Sequence, residues 1–534
     1  MALLDIKNLT FTFAEKSAPA LMELSFSLEK GSFAVLAGST GSGKSTLMRM
    51  IKRELSPQGT RSGEILFCGT PMEKLSERDA ASCIGYVCQR PDEQIVTDKV
   101  WHELAFGLEN LGVPKSEIAS RVAEMAAFFG IEDWYDRDVH TLSGGEKQLL
   151  SLASVMVMRP ELLLLDEPTS RLDPIAASGF MEEIRKINHD LGVTVLIAEH
   201  RLDDCLPLAD TLIVLEDGRL LAAGDTRVSI DRIRDNESLM LGMPAVFRLF
   251  HKLGSKQIPL TVRDGRRLLA EEYECTEGIP GRDIETNSDV ALELKNVYFR
   301  YERDSADILK GLDLSVAAGE IHCLLGGNGS GKSTLLSLAS ALHKPYTGEL
   351  KVFGKPVSKY KEGTLYENCL SMLPQDVQTL FTRDSVAEEL RSIEKPLFDF
   401  ELLMDSHPYD LSGGQQQKLA FELALASKPK LLLLDEPTKG LDARSKKELG
   451  EFLLQLKQQG TTILIVTHDL EFAAEYGSRI SLLFRGRIVS EGTPEEFFLR
   501  NSFYTTAAVR LTGGSVKGAV TIPQLAGRLK EKRS

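Results

Sequence analysis

Two stretches of this chain have the residue types and spacing of a phosphate-binding loop. Each fits G-x-x-x-x-G-K-[ST], from Gly38 to Ser45 in the first half and from Gly326 to Ser333 in the second. Such a loop turns backbone N–H groups toward phosphate oxygens at a helix N-terminus, its lysine neutralises phosphate charge, and its serine hydroxyl can hold Mg²⁺. The repeat predicts two nucleotide sites rather than a pair of ordinary glycine-rich turns.

Each loop has an apolar run before it and a helix-compatible stretch after it, which is the strand–loop–helix setting that the motif requires. The residues predicted to bind nucleotide in the first half are Gly38, Ser39, Thr40, Gly41, Ser42, Gly43, Lys44, Ser45 and Thr46. Their equivalents in the second half are Gly326, Gly327, Asn328, Gly329, Ser330, Gly331, Lys332, Ser333 and Thr334.

An acidic pair follows a wholly apolar run in each half. Its first member, Asp166 or Asp435, stands at the end of a predicted buried strand and suits Mg²⁺ coordination. Its second member, Glu167 or Glu436, can act as general base toward an attacking water, a role typically worth about 10²–10⁴ in rate. An isolated pair of this kind can be an ordinary strand end, but its repeated place behind a phosphate loop favours catalysis.

A glutamine and a histidine also recur after short apolar segments. Gln89 and Gln375 are candidates to contact the metal or the water, and His200 and His468 to hydrogen-bond the γ-phosphate. The predicted catalytic residues are therefore Glu167, Glu436, His200, His468, Gln89 and Gln375. The predicted metal ligands are Ser45, Gln89, Asp166, Ser333, Gln375 and Asp435.

A Leu-Ser-Gly-Gly segment occurs once in each half. Its serine can cap the following helix, and its glycines allow close backbone approach. A helix N-terminus is a further anion site, although an ordinary cap has the same sequence. The residues predicted to bind nucleotide here are Ser143, Gly144, Gly145, Ser412, Gly413 and Gly414.

The landmarks occur in the same order in both halves, which indicates a tandem domain duplication. Gln89 and Ser143 are 54 positions apart and Gln375 and Ser412 only 37 apart, so the second copy is 17 residues shorter there. In the first copy this part is helix-like over Val100–Leu111 and Lys115–Phe129.

Short apolar runs such as 195–198 and 463–466 suit parallel strands buried on both faces, and helical patterns lie between them. Each half is therefore predicted to be an α/β domain. Residues 239–253 could form a helix, 271–288 read as an exposed acidic linker, and the charged end of the chain is expected to fray. The predicted division is a first domain over 1–240, a linker over 241–289, a second domain over 290–510 and a tail over 511–534.

The composition narrows the class of protein. A chain of 534 residues predicts two or more domains, and a net charge of −14 argues against free nucleic acid as a partner. The seven cysteines contain no C-x-x-C pair, which suggests a reducing cytosol and offers no zinc or iron–sulfur ligand set. Without a long apolar stretch or a signal-peptide pattern, we expect a soluble chain whose membrane role, if any, comes through a partner.

With these landmarks placed, the chain resembles two ATP-binding cassette (ABC) domains in one polypeptide. The resemblance rests on the phosphate loops, glutamines, Leu-Ser-Gly-Gly signatures, acidic pairs and histidines, and covers nearly all of the chain except linker and tail. It implies an α/β fold of two tandem P-loop NTPase domains, each with a helical subdomain, that use ATP and Mg²⁺. It also implies that Phe13 and Tyr301 match the aromatic that stacks on adenine, although either can be a buried strand aromatic.

In this family the domains pair head to tail, and each ATP lies between one phosphate loop and the other domain's signature. The resemblance therefore implies that the first loop works with Ser412 and the second with Ser143 within one chain. Departures are small. Arg171 stands where a small residue is usual, and Glu146 ends the first signature where glutamine is usual. We expect both sites to hydrolyse ATP.

A narrower resemblance, to the ATPases of energy-coupling-factor importers, lies in Gln89–Pro114, Ile258–Arg266 and Ser502–Ala508. Such importers take up vitamins and transition-metal ions in prokaryotes. The resemblance implies a transmembrane coupling subunit and a substrate-binding membrane component as partners, no nucleic acid, and a peripheral place on the cytoplasmic face of the cell membrane. The apolar residues that either form the groove for the coupling subunit or pack internally are Ile95, Val96, Val100 and Leu104.

Three other classes of ATPase share part of this pattern. A soluble two-cassette translation factor should have a long basic helical linker, whereas 271–288 is acidic and contains glycine and proline. A fused sugar-importer ATPase commonly has an altered second site, which is intact here. A DNA-repair ATPase would need zinc-ligand cysteine pairs. The translation factor remains the alternative to an importer.

Overall fold

The computed structural model describes residues 2–14, 16–275, 289–361, 363–393 and 395–532. The chain forms two compact units, Met1–Pro244 and Ala245–Ser534. Most of the predicted acidic linker, 276–288, lies outside the described residues. Within the described ranges, no helix combines the length and the apolar character needed to cross a bilayer.

The first unit contains two sheets. Its strands are β1 (Ala2–Phe13), β2 (Leu21–Glu29), β3 (Phe33–Gly38), β4 (Gly59–Phe67), β5 (Thr70–Pro71), β6 (Ile84–Val87), β7 (Leu162–Asp166), β8 (Thr194–Ala198), β9 (Thr211–Glu216) and β10 (Arg219–Asp225). An antiparallel sheet has the order β2-β1-β4-β5, and a six-stranded sheet has the order β10-β9-β3-β8-β7-β6. The six-stranded sheet is parallel from β9 to β6.

The helices of the first unit connect these strands. They are α1 (Lys44–Ile51), α2 (Glu77–Cys83), α3 (Pro91–Gln94), α4 (Val100–Asn110), α5 (Lys115–Phe128), α6 (Gly144–Met156), α7 (Pro174–Leu191), α8 (Leu202–Cys205), α9 (Thr226–Arg232) and α10 (Glu237–Gly242). The helix-like stretches predicted after residues 100 and 115 are confirmed as α4 and α5.

The second unit repeats the plan and adds a third, two-stranded sheet. Its helices are α11 (Ala245–Lys252), α12 (Val262–Glu272), α13 (Lys332–Ala339), α14 (Val386–Glu389), α15 (Gly413–Leu425), α16 (Ala443–Gln458), α17 (Leu470–Tyr476), α18 (Pro494–Arg500), α19 (Ala507–Thr512) and α20 (Ile522–Ala526). Its strands are β11 (Tyr273–Cys275), β12 (Val290–Phe299), β13 (Leu309–Ala317), β14 (Ile321–Leu325), β15 (Thr347–Val352), β16 (Lys355–Pro356), β17 (Leu370–Leu373), β18 (Leu431–Asp435), β19 (Thr462–Val466), β20 (Arg479–Phe484), β21 (Arg487–Gly492) and β22 (Leu529–Glu531). The sheet orders are β13-β12-β15-β16, β17-β18-β19-β14-β20-β21 and β11-β22.

The apolar runs form the central strands of both large sheets, as predicted. The four leucines of β7 and the four leucines of β18 are fully buried. One face of each parallel sheet packs against α1 or α13 and the antiparallel sheet of the same unit, so these strands are covered by more than helices. Since the carboxyl ends of parallel strands meet at one edge, the residues that follow β3, β7 and β8 converge, as do those that follow β14, β18 and β19.

The two units differ between the glutamine and the signature. In the second unit α14 stands where the first unit has α4, and the described part of residues 390–411 contains only short 3₁₀ turns before the signature. The 17-residue difference therefore corresponds to the loss of the helix equivalent to α5, which leaves the second unit a much smaller helical subdomain.

A small C-terminal subdomain differs from the exposed linker and frayed end expected from the sequence. Its members, α11, α12, β11, α19, α20 and β22, bury an apolar cluster that includes Phe250, Leu268 and Leu525. Strand β11 pairs with β22. The region from 239 to 253 forms two helices rather than one, because Pro244 cannot continue a helix.

Candidate nucleotide sites

Both phosphate loops adopt the backbone that their glycines permit. Gly43 and Gly331, which cap α1 and α13, have φ values of 99° and 105° in the left-handed region. Lys44 Nζ donates to the carbonyls of Gly38 and Ser39, each at 2.9 Å. The lysine ammonium is therefore held over the loop, as expected for the lysine that contacts the β- and γ-phosphates in loops of this type.

The second loop has the same arrangement. Lys332 Nζ donates to Gly326 O at 2.8 Å and to Gly327 O at 3.1 Å. The equivalent loop hydroxyls of Ser42 and Ser330 are buried and have no hydrogen-bond partner among the described residues. Because buried polar atoms in proteins almost always have a partner, these two hydroxyls fit a ligand with oxygen acceptors.

Two of the three predicted metal ligands of the first site, Ser45 and Asp166, are in direct contact, whereas Gln89 contacts Glu167. Ser45 Oγ donates to Asp166 Oδ1 at 2.9 Å, and the Tyr86 hydroxyl donates to Asp166 Oδ2 at 2.8 Å. Burial raises the pKa of the Asp166 carboxyl, and the neighbouring Glu167 charge raises it further, against the effect of these two hydrogen bonds. A cation would offset the cost of charging this carboxylate, so the oxygen donors fit Mg²⁺.

The second site offers the same oxygen chemistry. Burial likewise raises the pKa of Asp435, while a hydrogen bond with Ser333 opposes the rise. Asp435 Oδ1 is buried and lacks a hydrogen-bond partner among the described residues. An orphaned carboxylate oxygen beside a serine hydroxyl suits a hard divalent cation, so this residue pair fits Mg²⁺ as well.

The predicted base of the first site contacts both of its predicted helpers. Glu167 Oε1 lies 2.8 Å from His200 Nε2, and Gln89 Nε2 donates to Glu167 Oε2 at 2.8 Å. Glu167 N donates to Ala198 O at 2.9 Å, which ties the end of β7 to the end of β8. The three side chains predicted from separate segments therefore form one cluster.

The predicted base of the second site contacts its histidine and its lysine. Glu436 Oε2 lies 2.8 Å from His468 Nδ1, and Glu436 Oε1 lies 3.9 Å from Lys332 Nζ. Burial raises the pKa of Glu436, but the hydrogen bond and charge of His468 and the charge of Lys332 outweigh it, so the pKa is lowered overall. Gln375, in contrast, is exposed, and this is the clearest difference from the first site.

Both glutamates have a left-handed backbone. The φ angle is 48° at Glu167 and 51° at Glu436. For a residue with a Cβ this conformation costs about 1–3 kcal/mol and persists only where the surroundings enforce it. The hydrogen bond from each glutamate N–H to the neighbouring strand, to Ala198 O or to Val466 O, helps to hold this backbone.

The signature segments form helix caps. Ser143 Oγ accepts from Glu146 N at 3.3 Å, and Glu146 Oε2 accepts from Ser143 N at 2.7 Å, a reciprocal capping box at the start of α6. Ser412 and Gln415 form the same box at the start of α15. Glutamate and glutamine are thus interchangeable at the end of the signature, because only a side-chain oxygen is required.

The two candidate adenine-stacking residues have different surroundings. Tyr301 is 57% exposed, and its hydroxyl lies 3.2 Å from Thr334 Oγ1. The interpretation as a buried strand aromatic is therefore wrong for Tyr301. Phe13 is partly buried and packs edge-on against Phe11, with ring centroids 5.0 Å apart.

A buried acid beside the first site was missed in the sequence. Glu199 Oε1 accepts from Thr169 N at 2.9 Å and from Thr169 Oγ1 at 2.7 Å. Burial raises the pKa of Glu199 to about 7. The second unit has Thr467 at this position, whose hydroxyl lies 3.4 Å from that of Thr438. The sequence signal that could have identified Glu199 is its position directly before His200.

The region after Gln89 has both buried and exposed apolar residues. Val100 and Leu104 are buried, which confirms internal packing for them, whereas Val96 is 62% exposed. Trp101 and Phe106, also exposed, flank the His102 ring, with centroid distances of 5.1 and 6.5 Å.

A buried carboxylate holds the loop that precedes α4. Glu103 Oε2 accepts from Val96 N at 3.1 Å and from Thr97 N at 3.0 Å. Glu389 makes the equivalent bonds to the amides of Thr382 and Arg383 in the second unit.

Similarity to known proteins extends over nearly the whole chain. A family model described as ABC transporter matches residues 21–170 and 309–439, one match in each unit. A protein of Bacillus thuringiensis subsp. konkukian, provisionally named an ABC transporter ATP-binding protein, is 40% identical over 97% of this chain and 96% of its own length. A Bacillus subtilis protein, provisionally named HMP/thiamine import ATP-binding protein YkoD, is 32% identical over 98% of this chain and 95% of its own length.

Among solved structures, an archaeal ribosome recycling factor, aABCE1, crystallised with the ribosomal stalk protein aP1, superposes with a TM-score of 0.59. It is 19% identical and the match covers 92% of this chain and 91% of that one. At this identity the likeness shows the fold alone.

Proposed function

This chain belongs to the ABC transporter family of ATP-binding proteins and is an ATPase, and we propose that it powers an energy-coupling-factor importer. In this proposal it binds ATP with Mg²⁺ in both units and drives the uptake of a vitamin or metal ion through separate membrane subunits. The observation that carries the catalytic part is the direct contact of each predicted base with its histidine, at 2.8 Å in both units.

The loop residues bind the phosphates, and Lys44 and Lys332 neutralise their charge. Mg²⁺ held by the serine–aspartate pairs would neutralise charge on the β- and γ-phosphates. Glu167 and Glu436 accept a proton from the attacking water, and the lowered pKa of Glu436 keeps that carboxylate ready for this role. His200 and His468 contact these carboxylates, and in this proposal they also donate to the γ-phosphate.

Force generation in this proposal follows the family's head-to-tail arrangement. Ser143 and Ser412 with their glycines bind the terminal phosphate of ATP held on the other unit's loop, so that ATP favours the closed state and hydrolysis releases it. A ligand shifts a conformational equilibrium only through different affinity for its two states. ATP that contacts both units meets this condition, whereas ADP lacks the γ-phosphate that the signature would bind.

Two observations support the importer. The Bacillus subtilis relative is named for the import of HMP or thiamine and matches this chain over nearly its full length. The exposed apolar side chains of Val96, Trp101 and Phe106 lie directly after the glutamine loop, where a coupling helix of a membrane subunit would bind. The membrane partners would hold the chain at the cytoplasmic face.

The alternative is a translation factor that acts on ribosomes, and co-purification separates the two. Affinity purification of the tagged chain from detergent-solubilised cells should recover a small membrane protein. Trp101→Ala should reduce that recovery, and Tyr135→Ala, also exposed, should not. Recovery of ribosomal subunits in its place would overturn the importer.

The catalytic assignment is tested by the double variant Glu167→Gln, Glu436→Gln. Glutamine keeps the size and one oxygen of each side chain but cannot take the proton of water. We expect ATP turnover to fall by about 10²–10⁴, while ATP binding measured by isothermal titration calorimetry is retained.

The matched control is Glu64→Gln, Glu349→Gln, which changes one exposed glutamate on β4 and one on β15. Its turnover should equal that of the unmodified chain. Undiminished hydrolysis in the catalytic double variant would exclude these two carboxylates as the bases.

A further inference from the structure

The segment between α18 and α19 brings a phenol to the second phosphate loop. Tyr504 Oη lies 3.7 Å from the position that a Cβ would take on Gly327. Gly327 is the second residue of that loop, and its carbonyl accepts a hydrogen bond from Lys332 Nζ. Tyr504 is partly buried, whereas Phe503 beside it is 88% exposed, so only one of these adjacent aromatics faces the site.

Hydrogen bonds after Tyr504 hold the segment in this place. Thr505 is buried, and its hydroxyl donates to Phe498 O at 2.7 Å. Thr506 is fully buried and caps α19. Ala507 N donates to Glu471 Oε1 at 2.7 Å, and Glu471 lies on α17, three residues after His468. The position of the phenol is therefore fixed by contacts with the same unit that carries the loop.

The chemistry of the loop indicates which part of a bound nucleotide the Tyr504 hydroxyl would contact. The loop lysine reaches the β- and γ-phosphates of a bound nucleotide, and here its ammonium lies on the carbonyl of Gly327. A hydroxyl beside Gly327 is thus at the end of the loop that holds the terminal phosphate, and a phenol O–H donates well to a charged oxygen. The first loop has Ser39 at this position and so carries a hydroxyl of its own.

We propose that Tyr504 is a nucleotide-contacting residue of the second site, and that it donates a hydrogen bond to the γ-phosphate of ATP. This inference rests on the proposed nucleotide sites and deepens them. Because ADP has no γ-phosphate, the contact discriminates between the nucleotides. A residue outside the known motifs then makes the second site prefer ATP.

The test uses the full chain with Lys44→Ala, which weakens the first site so that tight binding reports on the second. Titration calorimetry with Mg²⁺ and either AMP-PNP or ADP measures both affinities before and after Tyr504→Phe. Because a hydrogen bond to a charged oxygen is lost, the affinity for AMP-PNP should fall by about tenfold. ADP affinity should change by less than about twofold, since the ring and its packing remain.

Phe503→Leu is the matched control, and neither affinity should change, because that side chain is exposed. An equal loss for AMP-PNP and ADP after Tyr504→Phe would assign Tyr504 a packing role and overturn the proposal. Unchanged affinity for both nucleotides after Tyr504→Phe would also overturn the proposal. A chain that binds neither nucleotide in the Lys44→Ala background would contradict the second site itself, and this outcome is independent of any membrane partner.

Discussion

At the scale of single residues, the carboxyl group of Glu199 is a feature that the first site has and the second site lacks, because the second unit has Thr467 at this position. The Glu199 carboxyl group is fully enclosed and accepts two hydrogen bonds from Thr169, which lies two residues after the proposed base. Its ordinary pKa near 4.5 is raised to about 7 by burial. The unfolded chain therefore releases this proton near pH 4.5, whereas the folded chain keeps it until about pH 7.

This difference predicts a pH-dependent stability. Between about pH 4.5 and 7 the folded state binds more protons, so the free energy of unfolding falls as pH rises, by up to about 3 kcal/mol. Glu199→Gln retains an oxygen that accepts both bonds but never ionises. In urea unfolding monitored in the first unit, the variant should gain stability over the unmodified chain between pH 5 and pH 8.

The exposed substitution Glu64→Gln serves as the reference for this measurement. A stability difference between Glu199→Gln and the unmodified chain that is the same at both pH values would show that the buried acid does not titrate as described.

The sequence predicted which side chains come together at the sites better than it predicted the differences between the two sites. Motif spacing placed Glu167, His200 and Gln89 on separate segments, and parallel strand ends brought them together. It could not show that Gln375 stays exposed, because side-chain direction after a strand depends on the packing of the shortened helical subdomain. The hydrogen bond from the Tyr86 hydroxyl to Asp166 was not predicted, because a tyrosine on a buried strand has no distinctive sequence spacing.

At the scale of elements, the Glu103 carboxylate holds the loop that precedes α4. Glu103→Ala would leave the amides of Val96 and Thr97 without their acceptor, at a cost of about 1–3 kcal/mol. We expect hydrogen exchange of these two amides to accelerate, while exchange in β7 and β8 stays slow.

Glu109→Ala, on the exposed face of the same helix, is the control and should leave the loop amides protected. Equal exchange in the Glu103 variant and the unmodified chain would show that other contacts hold this loop. Under the proposed importer function, a looser loop should also weaken capture of a membrane subunit, because Val96 would no longer be held in place.

The strands were predictable and the C-terminal subdomain was not, for a physical reason. Four successive buried leucines identify β7 and β18 locally. The helices α11 and α12, by contrast, bury their apolar faces against α19 and α20, which lie some 250 positions later in the chain. Single-sequence periodicity indicates an amphipathic face but not its distant partner.

At the scale of the whole molecule, that subdomain is held together by its own apolar cluster. Leu525 is fully buried within it, so Leu525→Ala should destabilise the subdomain by about 2–5 kcal/mol through lost burial and a cavity. Hydrogen exchange should accelerate in α11 and in the β11–β22 pair, while the first unit keeps its protection.

Lys530→Ala changes an exposed side chain on β22 and should leave exchange unaltered. If Leu525→Ala accelerated exchange equally in both units, the subdomain would not be an independent cooperative element, and its cluster would be part of a larger folding unit.

The left-handed backbone of Glu167 and Glu436 affects how this chain would respond to selection for stability. Replacing Glu167 or Glu436 by glycine relaxes a backbone that only glycine adopts without penalty, and the same exchange deletes the proposed proton acceptor. Heat tolerance and turnover are thus opposed at two positions of this chain. A library screened for thermal resistance alone would enrich inert molecules, so every round of such a screen needs a parallel assay of phosphate release.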